Sequence, residues 1–347
     1  MLNIAYCVTS LANKGPVIVI RDIVNNISKE CDITIFYIDN IVEVDFPTSV
    51  KLVKLDSALQ KYDFSEFDIV HSHLFRADLL CFKNKSTINH WVSTIHADIF
   101  GEFRSSYGLV KGFFYSRLWI KILKSADVQV SLSNYHYKLY KKYFDSNVIY
   151  NGRPFVGKSE IDNRLSSIRA DNIGKTMLGS CAHVVKRKGF DQVLNVLAKD
   201  DSNQFYFVLV GDGPEIFSLK NMARQLGVED KCYFLGVTNN VNKFFPYFDL
   251  FIMTSSSEGM PLALIEAASH GKAAVVSDIP MLKEVFSSKE VVFYEHGKVD
   301  SLYDSIKNAL KNKSKLEANI LIKYNENYSD IIMSDRYMKL YEEVDFN

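Results

Sequence analysis

The chain lacks any apolar run approaching the roughly 18 residues a membrane-spanning helix needs, which excludes that class. It also lacks net charge. Forty-one Lys plus Arg stand against forty-one Asp plus Glu, so no global field draws the molecule onto nucleic acid and any basic surface must be local. Cysteine is scarce: Cys7, Cys31, Cys81, Cys181 and Cys232 are odd in number, scattered and never spaced C-x-x-C. Neither a disulfide framework nor a zinc cage fits that pattern. The amino-terminal MLNIAYCVTSLANKG has no basic stretch leading into an apolar core and a small-residue cleavage site, so it does not read as a secretory signal. Reduced thiols and a cytoplasmic setting are the expectation. Apolar residues make up 47% and charged residues 24%, too little polar bias for intrinsic disorder.

At about 150 residues per domain, 347 residues suggest two cores. The first half alternates short β-branched and aromatic runs with helix-period segments. The runs are NIAYCVT, DITIFYID, DIVHSH, HWVSTIH, VQVSLS and NVIY, and Val17 to Ser28 carries apolar residues at helical spacing. Strand–helix alternation of this kind predicts a parallel sheet covered on both faces. From Arg153 to Gly174 apolar density falls, the composition of a connector. Alternation then restarts with TMLGSCA, FYFVLVG, KCYFLG, DLFIMTS, KAAVVSD and EVVFYE. The expectation is an α/β chain of two Rossmann-like, doubly wound domains, 1–155 and 172–327, followed by a helical tail, 328–347. Ligands of open parallel sheets sit beyond the strands' carboxyl ends, so a central cleft between facing domains is the expected place for chemistry.

The most informative stretch is SSSEGMPLALIEAASHG, Ser255 to Gly271, directly after an apolar strand. Gly259 permits close backbone approach and Pro261 suits a first helical turn. The amides of Gly259, Met260 and Leu262 would then face a phosphate leaving group at a helix N-terminus. Glu258 precedes this helix and Glu266 lies on it, and carboxylates so placed accept well from sugar or ribose hydroxyls. The alternative makes Glu258 a partner of the helix dipole and Glu266 a solvated residue. The run Lys186-Arg187-Lys188 before Gly189 supplies fixed cations of the kind a departing diphosphate needs, although a basic run is also what an ordinary solvated face carries.

With Glu258-GMPLALI-Glu266 the chain resembles the retaining GT-B glycosyltransferases of family 4, whose signature is two Glu separated by seven residues. The likeness extends over FVLVGDGPE (Phe207 to Glu215), Lys188 to Asp191, DIVHSHLFRADLL (Asp68 to Leu80), Thr94 to His96, Tyr150 to Gly152 and Ser277 to Pro280. The resemblance implies that Glu258 contacts the donor sugar near the reacting centre and that Glu266 holds the nucleotide ribose. It implies a phosphate-binding Lys188, a His96 beside the donor sugar, and a terminal helix that crosses back onto the first domain. The family places an Arg five residues before the lysine matched by Lys188, where this chain has His183. The second phosphate contact falls to Arg187 or to His183.

Gly15, in the loop after the first strand, is the candidate for close approach to diphosphate or acceptor, without the second glycine common in similar enzymes. Gly211 to Gly213 lacks the G-x-G-x-x-G spacing of a dinucleotide fingerprint and reads as a tight turn. His71 and His73, two apart on one strand, share a face and could ligate a metal, but no third ligand is evident. The Asp-x-Asp that holds a divalent ion in GT-A transferases is missing, so no cofactor or metal is expected. The reading is a metal-independent retaining hexosyltransferase that uses a nucleotide sugar, with UDP as the expected nucleotide. Its acceptor would be a saccharide or lipid-linked saccharide in cell-surface polysaccharide synthesis. An epimerase of the same fold and a catalytically silent partner subunit are the alternatives.

Between Glu102 and Asp127, five cations (Arg104, Lys111, Arg117, Lys121 and Lys124) interleave with aromatic residues and no acid. Such a segment, 103–126, either lies on an anionic membrane surface or packs its aromatic side inward. A matching basic stripe for nucleic acid is not present elsewhere.

Overall fold

The computed structural model describes residues 1–96, 98–157, 160–238 and 240–345, without the side chains of Glu102, Ser105, Ser106 and Asp345. The parts of the expected connector, basic segment and tail that fall on 158–159, on those side chains and on 346–347 lie outside the described residues.

The chain divides into two compact units, Met1–Arg153 with Asp330–Asn347, and Pro154–Ser329. In the first, the strands are β1 (Leu2–Val8), β2 (Cys31–Tyr37), β3 (Lys51–Lys54), β4 (Ile69–His73), β5 (His90–Ile95), β6 (Val128–Ser131) and β7 (Asn147–Val148). The helices are α1 (Gly15–Ile27), α2 (Phe75–Lys83), α3 (Ile99–Leu123), α4 (Asn134–Tyr140) and, from the far end of the chain, α12 (Asp330–Asp345). The second unit has α5 (Asn163–Asp171), β8 (Thr176–Cys181), α6 (Asp191–Lys199), β9 (Phe205–Val210), α7 (Ile216–Gln225), β10 (Cys232–Phe234) and β11 (Leu250–Met253). It continues through α8 (Leu262–Ser269), β12 (Ala274–Ser277), α9 (Pro280–Val285), β13 (Val292–Tyr294), α10 (Val299–Lys311) and α11 (Lys313–Asn327).

Both sheets pair in parallel throughout, in the orders β3-β2-β1-β4-β5-β6-β7 and β10-β9-β8-β11-β12-β13. Winding therefore reverses between β1 and β4 in one sheet and between β8 and β11 in the other. Those two points are where a doubly wound sheet opens a crevice at its strands' carboxyl ends. The central strands read as continuous apolar runs because helices cover both their faces: β9 and β11 are buried along their whole length.

No helix was expected at α5, α9 or α11, and no strand at β3. The connector from Arg153 to Gly174 contains α5, begun by Asp162 accepting from the Arg164 amide and anchored by buried Leu165 and Ile168. Two apolar residues a turn apart suffice to dock a helix whose other faces are polar. Strand β3 was not anticipated; it is a short edge strand framed by Lys51 and Lys54, the composition edges adopt to deter pairing.

The carboxyl-terminal α12 packs against α1 and completes the first unit. Asn26 of α1 donates to the Asp330 carboxylate at 2.9 Å and to Ser334 at 3.1 Å. Tyr341, fully buried, joins Tyr6 of β1 at 2.9 Å and His71 Nδ1 of β4 at 2.7 Å. Buried Asp22 on α1 pairs with Arg153, the last residue before the second unit begins, and with Arg21.

Helix α3 is two helices merged across Gly108, whose φ of 77° and ψ of 179° break the turn. After the break, Ser116, Trp119, Ile120, Ile122 and Leu123 are buried, while Val110, Phe113, Phe114 and Leu118 are exposed together with Arg117, Lys121 and Lys124. Among the described residues no helix is long and apolar enough to cross a membrane.

Candidate functional site

The second unit brings together Arg187, Lys188 and Glu258 at its winding reversal. Lys186 to Lys188 form a single 3-10 turn after β8, closed by Gly189 in the left-handed region at φ 63°, and α6 begins only at Asp191. The basic run thus precedes α6 and does not open it, because the left-handed glycine ends the turn. Gly189 is needed there for a second reason: a Cβ would stand 2.5 Å from the Thr254 carbonyl. This close approach lets the turn lie along the end of β11, where Ser256 N donates to Arg187 O at 2.8 Å and Thr254 Oγ1 donates to Lys188 O at 2.7 Å.

Held this way, Lys188 Nζ reaches Glu258 Oε1 at 2.6 Å and Arg187 reaches Oε2 at 3.1 Å and the Ser257 carbonyl at 2.8 Å. The Glu258 side chain is 5% exposed and that of Lys188 is 13% exposed, whereas Arg187 is half exposed. Burial works to raise the Glu258 carboxyl, but Lys188 and then Arg187 outweigh it and hold the group below the usual carboxylate range. Glu258 is therefore an anion with both oxygens engaged. The alternative reading, in which it partners a helix dipole alone, does not describe it.

Helix α8 starts at Leu262, with Pro261 capping it from outside the first turn at ψ 73°. The Leu262 amide donates to Met260 O at 2.9 Å. It is consequently not a free donor, a correction to the expected trio of amides, since the proline bends the chain back on itself. Gly259 and Met260 lie between Glu258 and this cap. Glu266, half buried on α8, lies close enough to Cys181 at the end of β8 that its charge, after burial, helps raise that thiol.

His183 is exposed and turned to the 211–213 loop, its Nδ1–H donating to Asp212 O at 2.9 Å. Gly211 and Gly213 let that loop pack on the His183 segment: Cβ atoms would fall 1.9 Å from Ala182 O and 2.3 Å from Val184 O. Packing explains these glycines. Arg187, and not His183, shares the Glu258 carboxylate with Lys188.

Gly15 and His96 belong to the first unit. Gly15 is the first residue of α1, next to Pro16, and not part of the preceding loop as expected, because the proline's fixed φ already begins the helix. His96 follows β5, and its Nε2 meets His73 Nδ1 at 2.7 Å; burial pulls the His96 imidazole down to about 3. His71, above it on the same face, is bonded to Tyr341 and, at 2.8 Å, to Thr94. The HSH alternation signals that two imidazoles share a face, but not that the second meets His96 on the next strand.

The family described as "Glycosyl transferases group 1" matches residues 165–327. The chain is 30% identical to an Escherichia coli protein, "O-antigen biosynthesis glycosyltransferase WclY", over 99% of each chain. It is 27% identical to another from Escherichia coli, "UDP-Gal:alpha-D-GlcNAc-diphosphoundecaprenol alpha-1,3-galactosyltransferase", over 74% of this chain and 71% of that one. The crystal structure of Anabaena Alr3699/HepE in complex with UDP and glucose superposes with a TM-score of 0.80 at 15% identity, covering 99% of this chain and 100% of the other. That likeness carries the fold, the two-unit GT-B architecture.

Proposed function

Because the chain belongs to the glycosyl transferases of group 1, we propose that it moves a hexose or N-acetylhexosamine from a UDP-sugar to a saccharide or lipid-linked saccharide acceptor in cell-surface polysaccharide synthesis. The observation that carries this reading is the convergence of Lys188 and Arg187 on Glu258, beside the Gly259–Met260 backbone, at the winding reversal of the second unit. A diphosphate leaving group needs fixed positive charge aimed at the oxygens that become anionic. Lys188 and Arg187 supply it, and Glu258 holds their ammonium and guanidinium heads in place next to the sugar. Glu266 accepts from the ribose hydroxyls. Protein cations and backbone amides take the part that a divalent ion plays elsewhere.

Transfer with retention is what the family resemblance implies, and the arrangement at Glu258 bears on how it would proceed. Glu258 has both oxygens committed to cations and is a poor nucleophile toward the anomeric carbon. The bond from that carbon to the diphosphate oxygen breaks, the acceptor oxygen bonds on the same face of an oxocarbenium-like ion pair, and the acceptor's proton passes to the departing phosphate oxygen. One relative, whose name carries UDP-galactose and a lipid diphosphate acceptor, supports the donor and acceptor classes. The exposed face of α3, apolar and basic at once, supports a peripheral position on the inner membrane face, where such acceptors lie.

The test is a panel of nucleotide sugars scored by thermal stabilisation in the presence of EDTA, then by transfer. A donor at 100 to 1,000 times its Kd adds about 3 to 4 kcal/mol of stability. Donor turnover that needs no acceptor would reassign the chain to epimerisation. Absence of UDP binding would make it a silent partner, and activity abolished by EDTA and restored by manganese would overturn the metal-free reading.

A further inference from the structure

His73 is fully buried on the last position of β4, and its Nε2 has no hydrogen-bond partner among the described residues. Its Nδ1 stands 2.7 Å from His96 Nε2, with the two rings 5.0 Å apart and tilted by 30°. Burial holds both imidazoles far below their ordinary range, so each carries one proton at neutral pH. Only one of the two facing nitrogens can therefore carry hydrogen. If His96 Nε2 were the donor, His73 would have to bear its own proton on Nε2, a buried N–H without an acceptor. If His73 Nδ1 is the donor, Nε2 is a bare lone pair, which is the cheaper orphan.

We propose that His73 is a positioning residue: its Nδ1–H donates to His96 Nε2 and locks His96 as the Nδ1–H tautomer, so that His96 meets its ligand as a hydrogen-bond donor and not as a base. The ligand identity rests on the proposed transferase function together with the family resemblance, which implies a His96 beside the donor sugar; the tautomer does not. An imidazole so locked gives one N–H to a sugar or phosphate oxygen, and its other nitrogen, already accepting, has no lone pair left for the acceptor's proton. That proton must then go to the leaving phosphate. The lone His71, whose two nitrogens are taken by Tyr341 and Thr94, has no part in this lock.

The experiment is two-bond proton–nitrogen correlation on full-length protein labelled with nitrogen-15 histidine, with the His96 ring assigned by its loss in His96→Ala. The expected result is the Nδ1–H pattern for His96 in the native protein and a shift to the Nε2–H pattern, the commoner form in water, in His73→Leu. His73→Asn places an amide N–H where Nδ1–H stood and retains the native pattern; it also serves if His73→Leu folds poorly. An Nε2–H pattern in the native protein, or no change in a folded His73→Leu, overturns the proposal. In transfer assays His73→Leu lowers kcat about tenfold, the worth of one hydrogen bond, with donor KM little changed, and His73→Asn restores it. Full activity in His96→Ala with the native tautomer as expected would sink the sugar contact and leave the lock standing.

Discussion

Lys188 Nζ stands 2.6 Å from Glu258 Oε1 across a separation of 70 residues, and the pair is nearly closed to solvent. Removing one member strands the other. Lys188→Ala is expected to lower kcat by about 10² to 10³. It also destabilises the protein by about 3 kcal/mol, because a buried carboxylate loses its main counter-ion. Urea denaturation and donor consumption measure the two effects separately. The double variant Lys188→Met, Glu258→Leu is expected to regain much of the stability and none of the activity, which separates the pair's catalytic value from its structural one.

Acid should loosen the first unit. His71 and His73 are buried neutral, with folded-state values pulled well below the ordinary imidazole range by burial, and His96 is pulled down to about 3. Below about pH 6.5 the unfolded chain takes up protons that the folded state refuses, so stability is full above that pH and falls as pH drops, by about 1.4 kcal/mol per pH unit for each histidine. Asp78 works in the opposite direction. Burial, partly offset by bonds from Ser72, Ser93 and Trp119, pushes its carboxyl up to about 6, so its contribution is present at low pH and lost as pH rises through that value. Urea midpoints at pH 7.5, 6.5 and 5.5 should decline, and His73→Asn should remove one histidine's share of the slope. A flat profile would contradict the buried neutral assignment.

Gly211→Ala tests the loop that braces His183. Its φ of +126° is foreign to residues with a Cβ, and the added carbon would lie 1.9 Å from Ala182 O. A loss of about 3 kcal/mol or more is expected. Gly174→Ala provides the control: its φ is +82° but nothing lies within 4 Å, so strain alone acts and the loss should be nearer 1 kcal/mol. Scanning calorimetry compares the two, and a UDP titration of Gly211→Ala should show weakened binding.

The exposed face of α3 predicts binding to vesicles containing anionic lipid, weakened by salt. Phe113 and Phe114 are 55% and 66% exposed. Replacing both by Ser, or Lys121 and Lys124 by Gln, should reduce co-sedimentation about tenfold or more without altering transfer to a soluble acceptor. If the variants sediment like the native chain, this face serves another purpose.

Much of the fold was legible because buried parallel strands write themselves as apolar runs, and each such run in β1, β2, β4 and β5 is a strand. The parts that escaped have little apolar content to show. Leu165 and Ile168 alone dock α5, and Leu52 and Val53 alone fill β3. At the candidate site, residue types and their local order were readable, as Glu258, Lys188 and Glu266 show. The ion pair that links the first two was not, since it depends on Gly189 allowing one turn to touch the end of another strand. Pro261 likewise looked like a helical residue, and only the bond from Leu262 N to Met260 O reveals it as the cap.

Helix α12 carries a consequence for how the polypeptide matures on the ribosome. Tyr6, His71 and Thr94 find their partners Tyr341 and Tyr337 only after the whole of Pro154–Ser329 has been synthesised. Until then His71 and Thr94 have only each other, at 2.8 Å, and the first unit's interior is completed last, by the end of the chain.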